Sequence, residues 1–259
     1  MATFGPRRYG FARLIDPVTL YVLLILFVAT LIRSTFGFGE ALVAVPLLAL
    51  RIPIAVAAPL AVAVSVLVAG VIVAQDWRKI AVRSAAGLVG AALLGIPLGL
   101  LLLTRVHDDV AKLLLGLLIG GFSIYSLIAR DRLHLQKDHP WGLLVAGFCS
   151  GVLGGAYGMN GPPLAVYGAL RRWSPQHFRA TLQGYFLPAS LAGLIGYAIA
   201  GLWSAAVTRY FLLSLPTVLI AILLGRAINH RMRGGQFFRY VYVGLILIGG
   251  ILIAQGLSR

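Results

Sequence analysis

Residues 154–166, GGAYGMNGPPLAV, interrupt a long apolar run with glycines, one asparagine and two prolines. The run around them, from Trp141 to Leu170, carries no charged residue. Backbone cannot leave helical geometry against lipid unless it is buried in protein or lines a polar cavity, because its N–H and C=O groups need partners. The interruption therefore predicts a helix break in the interior of a membrane protein.

The composition of the whole chain indicates the same class. Of its 259 residues, 60% are hydrophobic and 11% are charged, and the mean hydropathy is +0.94, which is typical of an integral membrane protein. Eight apolar runs approach or exceed the roughly 20 residues that a helix needs to cross a bilayer. These runs are Pro17–Ile32, Ile52–Gln75, Ser84–Thr104, Leu113–Ala129, Trp141–Leu170, Ala180–Thr208, Tyr210–Gly225 and Tyr240–Ser258. Polar residues do not alternate along them as in a membrane barrel, so we expect an all-α polytopic membrane protein.

The formal net charge of +15 does not point to nucleic acid. Most Lys and Arg residues stand at the ends of the apolar runs, where they are expected to contact lipid headgroups and to set orientation. Cys149 is the one cysteine, and no two of the five histidines have ligand spacing on a helix face. We therefore expect membrane lipids as partners, no nucleic acid, no metal and no cofactor. The sequence is also compatible with a homodimer.

The break at residues 154–166 has a counterpart in the first half of the chain. Residues 36–53 read FGFGEALVAVPLLALRIP, and residues 157–175 read YGMNGPPLAVYGALRRWSP. When the two are aligned, Gly37 lies opposite Gly158, Gly39 opposite Asn160, and Glu40 opposite Gly161. Each motif follows one long apolar segment and precedes three more. This pattern predicts two homologous halves of about four membrane segments each, at residues 1–128 and 141–259, joined by a polar linker at residues 129–140.

The short segments after the breaks predict an anion site. Glu40–Leu50 and Pro162–Leu170 are about ten residues long, or roughly 15 Å as helices, which is half a bilayer. Paired Gly/Pro interruptions in the two halves of a transporter mark its binding site, and helix N-termini attract anions. The alternative is a pair of helix kinks that serve packing alone. The candidate substrate-binding residues at the breaks are Gly37, Gly39, Glu40, Gly158, Asn160 and Gly161.

The distribution of Lys and Arg favours an inverted repeat. If each motif bends back toward the side from which it entered, residues 76–83, 130–139, 171–179 and 226–239 share one side of the membrane. That side then carries the larger share of the Lys and Arg residues, which is the arrangement that the positive-inside rule favours. Each half would have an odd number of full crossings, which inverts one half relative to the other.

Two residues at the breaks have competing roles. Glu40 is the only glutamate in the chain, and a carboxylate inside a membrane is costly enough to be a functional candidate. It could be a proton-coupling group, a partner that tethers an arginine, or an ordinary helix N-terminal carboxylate wetted from the interface. Asn160 could contact substrate or cap the second short helix.

Arginines near the apolar runs are further candidates for binding an anion, because a guanidinium holds an oxyanion with two parallel hydrogen bonds. Arg33 lies just before the first motif. Arg83 and Arg209 begin the third segment of each half, and Arg179 lies early in the second segment of the second half. For each of them, extension of the side chain to lipid headgroups is the alternative.

At its two motifs, the sequence resembles the sulfite exporter TauE/SafE family, also called the TSUP permeases. Each half of these proteins opens with a Gly-rich signature, and GFGEALVAVPLL and GVLGGAYGMNGPPLAVYG stand at those places here. Glu40 occupies a position where glycine is usual, and the second motif reads Met-Asn-Gly-Pro-Pro. The resemblance spans nearly the whole chain and implies transport of sulfite or organosulfonates such as sulfoacetate. A related branch moves thiosulfate with pore cysteines, which Cys149 alone could not provide.

The function expected from the sequence is secondary transport of a small sulfur-containing anion by alternating access, in the cell inner membrane or plasma membrane. No ATP-binding motif is present, so an ion gradient or the membrane potential would supply the energy. The alternatives are a transporter or channel for another small anion or metabolite, and a membrane subunit that transports nothing. An intramembrane serine protease would pair Ser150 with His177, but His177 stands beside charged residues at a segment boundary, so no enzyme is expected.

Overall fold

The computed structural model describes residues 16–76, 82–128, 140–171, 175–229 and 235–258. This part of the chain folds into ten α-helices and contains no strand. The helices are α1 Pro17–Phe36, α2 Glu40–Ala49, α3 Ile54–Asp76, α4 Val82–Arg105, α5 Asp108–Ile128, α6 Pro140–Tyr157, α7 Gly161–Leu170, α8 Pro175–Ile199, α9 Ala205–Asn229 and α10 Gly235–Leu257. The predicted linker at residues 129–140 lies outside the described residues, apart from Pro140 at the start of α6.

Eight of these helices are long, and they correspond to the eight apolar runs. Five of them (α1, α3, α4, α5 and α9) have described stretches long and apolar enough to cross a membrane, while α6, α8 and α10 contain shorter apolar stretches. Their exposed side chains include many large apolar residues, such as Leu94 on α4 and Leu223 on α9, which suit contact with lipid. The prediction of an all-α, multi-pass membrane protein is confirmed.

Glycines in left-handed backbone conformations produce both helix breaks. Gly37 ends α1 with φ +89° and donates its N–H to the carbonyl oxygen of Arg33 at 2.6 Å. Gly39 follows with φ +97°, and α2 begins at the next residue. At the second break, Gly158 has φ +67° and donates to the Gly154 carbonyl oxygen at 2.9 Å. Side chains other than glycine are strained in this region, so the glycines fix where each helix stops.

The helices after the breaks are short, as the sequence predicts. α2 and α7 have ten residues each and contact one another inside the protein. α2 ends one residue before the predicted boundary at Leu50, and α7 begins one residue before the predicted boundary at Pro162. The N-terminus of α3, which follows α2, is held by Asp108 on α5, whose carboxylate accepts the Ile54 N–H at 2.9 Å.

The main helix pairs join the two halves of the chain. α4 packs along α6, α5 along α10, α1 along α9, and α3 against α8. Each of these pairs takes one helix from before the linker and one from after it. The order of helices is the same on both sides of the linker: one long helix, one ten-residue helix, then three long helices. The halves therefore interleave around a shared interior that contains both breaks.

Glycines bring the backbones of α4 and α6 into direct contact. A Cβ atom added to Gly99 would lie 2.0 Å from the carbonyl oxygen of Val152. A Cβ on Gly151 would lie 2.2 Å from the carbonyl oxygen of Ala92. Small residues at four-residue spacing allow this approach between membrane helices, because packing replaces the hydrophobic drive that lipid does not supply. α6, which leads into the second break, is thereby fixed against α4.

Candidate functional site

A small internal cavity lies where α2 and α7 begin. The space open to the centre of a water molecule is about 20 Å³, close to the minimum for holding one water. The residues that line the cavity come from both breaks and from α1, α3, α5 and α8. They are Arg33, Phe38, Gly39, Glu40, Ala41, Leu42, Ser65, Phe122, Gly158, Asn160, Gly161, Pro162 and Phe186.

A buried ion pair forms one wall of this cavity. Arg33 on α1 donates from Nη1 to Oε2 of Glu40, the first residue of α2. Only 4% of Arg33 and 2% of Glu40 are exposed, so the pair is almost fully removed from solvent. The Thr30 hydroxyl donates to the other carboxylate oxygen, Oε1, at 3.2 Å. Of the roles considered for Glu40, the structure supports the arginine partner and excludes a carboxylate wetted from the interface.

Two further side chains contact the Arg33 guanidinium, and a third lies next to one of them. Nη1 also donates to the Ser65 hydroxyl on α3 at 2.5 Å, and that hydroxyl lies 3.4 Å from the Ser190 hydroxyl on α8. The guanidinium carbon stands 4.9 Å from the centroid of the Phe186 ring, within cation–π range. Nε of Arg33 is buried and has no hydrogen-bond partner among the described residues. The cation is thus well positioned, while its Nε donor is unused among the described residues.

The N-terminus of α2 adds positive electrostatic potential to the cavity. Its cap residue, Gly39, makes no side-chain hydrogen bond to the first turn. The amides of Glu40, Ala41 and Leu42 have no partner within the helix, and the helix dipole concentrates positive charge there. The N-terminus of α7 differs, because Pro162 and Pro163 in its first turn carry no N–H. Backbone donors for an anion therefore come chiefly from α2.

A chain of hydrogen bonds fixes the second break. The Ser150 hydroxyl on α6 donates to the Asn160 carbonyl oxygen at 2.5 Å and lies 2.7 Å from the Tyr185 hydroxyl on α8. Tyr197 donates to the Gly154 carbonyl oxygen at 2.9 Å. The Asn160 side chain rests on Gly154, where an added Cβ would lie 1.8 Å from its Oδ1. Ser150 thus has a structural role, while the side chain of His177 lies outside the described residues.

The cavity brings together five of the predicted site residues: Gly39, Glu40, Gly158, Asn160 and Gly161. Gly37 lies at the end of α1 and shapes the break without lining the cavity. The side chains of Arg83 and Arg179 lie outside what the structure describes.

Arg209 was predicted to bind substrate, but the structure places it outside the cavity, on the first turns of α9. Its side chain is 43% exposed. It lies 3.9 Å from the carboxylate of Asp16, the cap residue of α1, and donates to the Thr19 hydroxyl at 3.4 Å. Hydrogen bonds from Thr19 and the charge of Arg209 hold the pKa of Asp16 below its ordinary value. Arg209 therefore belongs to a polar cluster at the start of α1.

Several residues in or next to the cavity carry no obvious motif in the sequence. Ser65 is the only hydroxyl side chain in α3, and a lone hydroxyl in an apolar run is the signal that could have indicated it. Ser190, two residues after Pro188 in α8, has no such signal. Thr30 stands one helical turn before Arg33. Phe122 and Phe186 resemble any other apolar residue of a membrane helix, so only the tertiary structure places them at the cavity.

Comparison with known proteins agrees with this architecture. The family profile for sulfite exporter TauE/SafE matches residues 22–253, which contain all ten helices apart from the first residues of α1 and the last of α10. A probable sulfite/organosulfonate exporter TauE of Cupriavidus necator is 28% identical over 186 residues, which cover 71% of this chain and 70% of that protein. No solved structure matches the chain significantly. On the extent of the family match, this chain belongs to the sulfite exporter TauE/SafE family, whose members are membrane transporters rather than enzymes.

Proposed function

We propose that this protein is a secondary transporter that moves sulfite or small organosulfonates, such as sulfoacetate, across the inner or plasma membrane. The observation that carries the proposal is the buried Arg33 guanidinium beside the N-terminus of α2, in a cavity between the two breaks. Both groups stabilise negative charge, and both lie away from solvent, where electrostatic interactions are strong. The sulfur chemistry of the substrate is proposed from the family and from the name of the relative.

The substrate contacts are proposed on both sides of the cavity. Arg33 and the first-turn amides of α2 would hold the oxygens, while Asn160 and the backbone at Gly158 and Gly161 would form the opposite wall. Glu40 would couple transport to protons. The space open to the centre of a water molecule is only about 20 Å³, so we infer that the site widens before it admits a sulfite ion.

Opening would follow an inverted-repeat, alternating-access scheme. The packing of the helices supports it: exchanging the two halves maps the α4–α6 pair onto the α9–α1 pair, and returns α3–α8 and α5–α10 to themselves. This is the pattern that a two-fold axis between the halves produces. The site would lie on that axis, and rocking of the halves around it would expose the site to each side in turn. The driving force would be an ion gradient or the membrane potential.

Counterflow in proteoliposomes tests the proposal. Purified protein is reconstituted with unlabelled sulfite or sulfoacetate inside, and entry of the labelled anion is followed. Sulfate, thiosulfate and acetate are added outside as competitors. We expect saturable counterflow of the sulfur anions that acetate does not inhibit. It should be lost in Arg33→Gln and kept in the matched control Arg105→Gln, whose arginine is exposed at the end of α4.

The outcomes separate the parts of the proposal. Counterflow of a different anion alone would retain the transporter and replace its substrate. Absence of counterflow for every anion, with folded protein in the membrane, would favour a subunit that transports nothing.

A further inference from the structure

We propose that Glu40 occupies on Arg33 the place that a transported anion takes, so that the carboxylate and the substrate bind the same guanidinium in turn. This inference rests on the proposed function and specifies how its site works. In the described state the cavity already contains an anion, which is the protein's own. Binding of substrate would then be an exchange of partners on Arg33.

The geometry of the ion pair leaves room for a stronger partner. The described pairing uses one guanidinium nitrogen, Nη1, and one carboxylate oxygen, Oε2. An oxyanion with two or three equivalent oxygens can bind Nη1 and Nη2 together from the end of the guanidinium, the two-bond arrangement that makes arginine selective for such groups. A sulfonate or sulfite can therefore replace Glu40 without loss of hydrogen bonds to the cation.

Both partners remain supported after the exchange. Ser65 and Phe186 contact the guanidinium from α3 and α8, so Arg33 keeps its position when the carboxylate leaves. Thr30 lies 3.2 Å from Oε1 of Glu40, and a hydroxyl can accept a hydrogen bond as readily as donate one. A protonated Glu40 therefore has an acceptor at hand on α1.

Charge balance links this exchange to a proton. Among the described residues that line the cavity, Arg33 on α1 and Glu40 on α2 are the only charged groups. The lining residues from α3, α5 and α8 are Ser65, Phe122 and Phe186, and those of the second break include Asn160; none of them titrates near neutral pH. Entry of a monoanion beside an ionised Glu40 would leave one uncompensated negative charge in a buried site, at a high cost. When one proton from water binds a carboxylate oxygen of Glu40, the net charge of the site is zero again. The site then contains a neutral Glu40 and an ion pair between the substrate anion and Arg33.

Among the described residues, a buried arginine–carboxylate pair at a helix break occurs once. In the alignment of the two breaks, Gly154 and Gly161 stand at the positions of Arg33 and Glu40. The space beside Gly154 is filled by the Asn160 side chain. The described part of the second half thus offers no second cation or carboxylate at the cavity, so the expected stoichiometry is one proton for each monoanion.

Isothermal titration calorimetry tests the exchange directly. Methanesulfonate serves as the probe because it keeps a single fixed charge, and titrations in two buffers of different ionisation enthalpy count the protons. For the wild type we expect uptake of about one proton per anion, and affinity that falls about tenfold per pH unit wherever free Glu40 is ionised. Glu40→Gln should bind without proton uptake, independently of pH, and more tightly than the wild type at high pH. Arg33→Gln should not bind, and Arg105→Gln should behave as the wild type.

The results distinguish failure of this inference from failure of the proposed function. If the wild type binds the anion without taking up a proton, the proposed exchange is wrong and the transporter proposal stays intact. The proton count on the wild type alone decides this, without any variant. Weaker binding by a folded Glu40→Gln at every pH also overturns it. Gel filtration and circular dichroism show whether the wild type and Glu40→Gln are folded. If both are folded and neither binds methanesulfonate, sulfite or sulfoacetate, the proposed substrate class is wrong, and so is the exchange.

Discussion

Arg33 and Glu40 stand seven residues apart in the chain, yet they form an ion pair across a helix break. Arg33 lies in the last turn of α1, and Glu40 is the first residue of α2. Gly37 and Gly39, both with positive φ, turn the chain between them. An uninterrupted helix would also place positions seven apart on one face, but two turns and about 10 Å apart along the axis. The break is therefore what brings the carboxylate to the guanidinium.

The pair should show strong thermodynamic coupling. Arg33→Met is expected to lower the free energy of unfolding by about 3–5 kcal/mol, because it leaves a buried carboxylate without its counter-ion. The double variant Arg33→Met/Glu40→Gln should be more stable than Arg33→Met alone, since no charge remains to be compensated. Unfolding by sodium dodecyl sulfate in mixed micelles measures both. Strictly additive effects of the two substitutions would show that the pair is not coupled.

Replacement of Gly39 by alanine is expected to destabilise the protein, because this residue has a left-handed backbone conformation. The same replacement at Gly161 is not expected to do so. Gly39→Ala places a Cβ on a residue at φ +97° and should cost about 1–2 kcal/mol. Gly161 aligns with Glu40, the residue after Gly39. It is the first residue of α7, its φ is not left-handed, and an added Cβ meets no atom within 4 Å, so Gly161→Ala should be neutral or slightly stabilising. Thermal unfolding in detergent compares them. An equal loss in both variants would contradict the role assigned to the first break.

The contact between α4 and α6 can be tested within one helix. Gly99→Ala directs a methyl group at the Val152 carbonyl oxygen, and overpacking of this kind costs about 1–3 kcal/mol because the backbones must separate. Gly90 on the same helix is exposed and has no atom within 4 Å of an added Cβ, so Gly90→Ala is the matched control. Melting temperatures in the same detergent should fall only for Gly99→Ala. A fall of similar size in the control would indicate that α4 needs the flexibility of glycine in general, and not that Gly99 allows close contact with α6.

The hydrogen bonds of Ser150 to the Asn160 carbonyl and to Tyr185 predict which substitution lowers the stability more. Tyr185→Phe removes one neutral hydrogen bond and should cost about 1 kcal/mol. Ser150→Ala leaves both the Asn160 carbonyl and the Tyr185 hydroxyl without this partner, so its loss of stability should be larger. Chemical unfolding in micelles gives the ranking, and a reversed ranking would mean that Ser150 does not join the two. Counterflow that survives in Ser150→Ala would in addition exclude a nucleophilic role for this serine.

Thiol labelling tests the inverted repeat. Cys149 is first replaced by Ala, and single cysteines are then introduced at Arg51, after α2, and at Ser174, which follows α7 in the sequence but lies outside the described residues. If the two breaks bend back within oppositely oriented halves, a membrane-impermeant maleimide should reach these positions from opposite sides. Access from the same side would refute the inverted arrangement and leave the binding-site proposal to stand on its geometry.

The sequence by itself determined the class, the breaks and the family of this protein. Apolar runs of membrane length can only be satisfied as helices, because lipid offers no hydrogen-bond partners to the backbone. Glycines and prolines mark where helices stop, since their backbone preferences are local and do not depend on the rest of the fold. The two breaks and the ten-residue helices after them could therefore be located to within one residue, and Glu40 and Asn160 could be selected as polar residues beside them.

Only the tertiary structure decided which side chains share the cavity. Arg33 and Arg209 are both arginines at the ends of apolar helices, and local sequence does not separate them; the fold buries one against Glu40 and leaves the other beside Asp16. Ser65 and Phe186 reach the guanidinium from helices far apart in the chain, through packing of α3 against α8 that no local pattern encodes. Local conformation depends on neighbouring residues, whereas the partners of a buried charge depend on how distant helices meet.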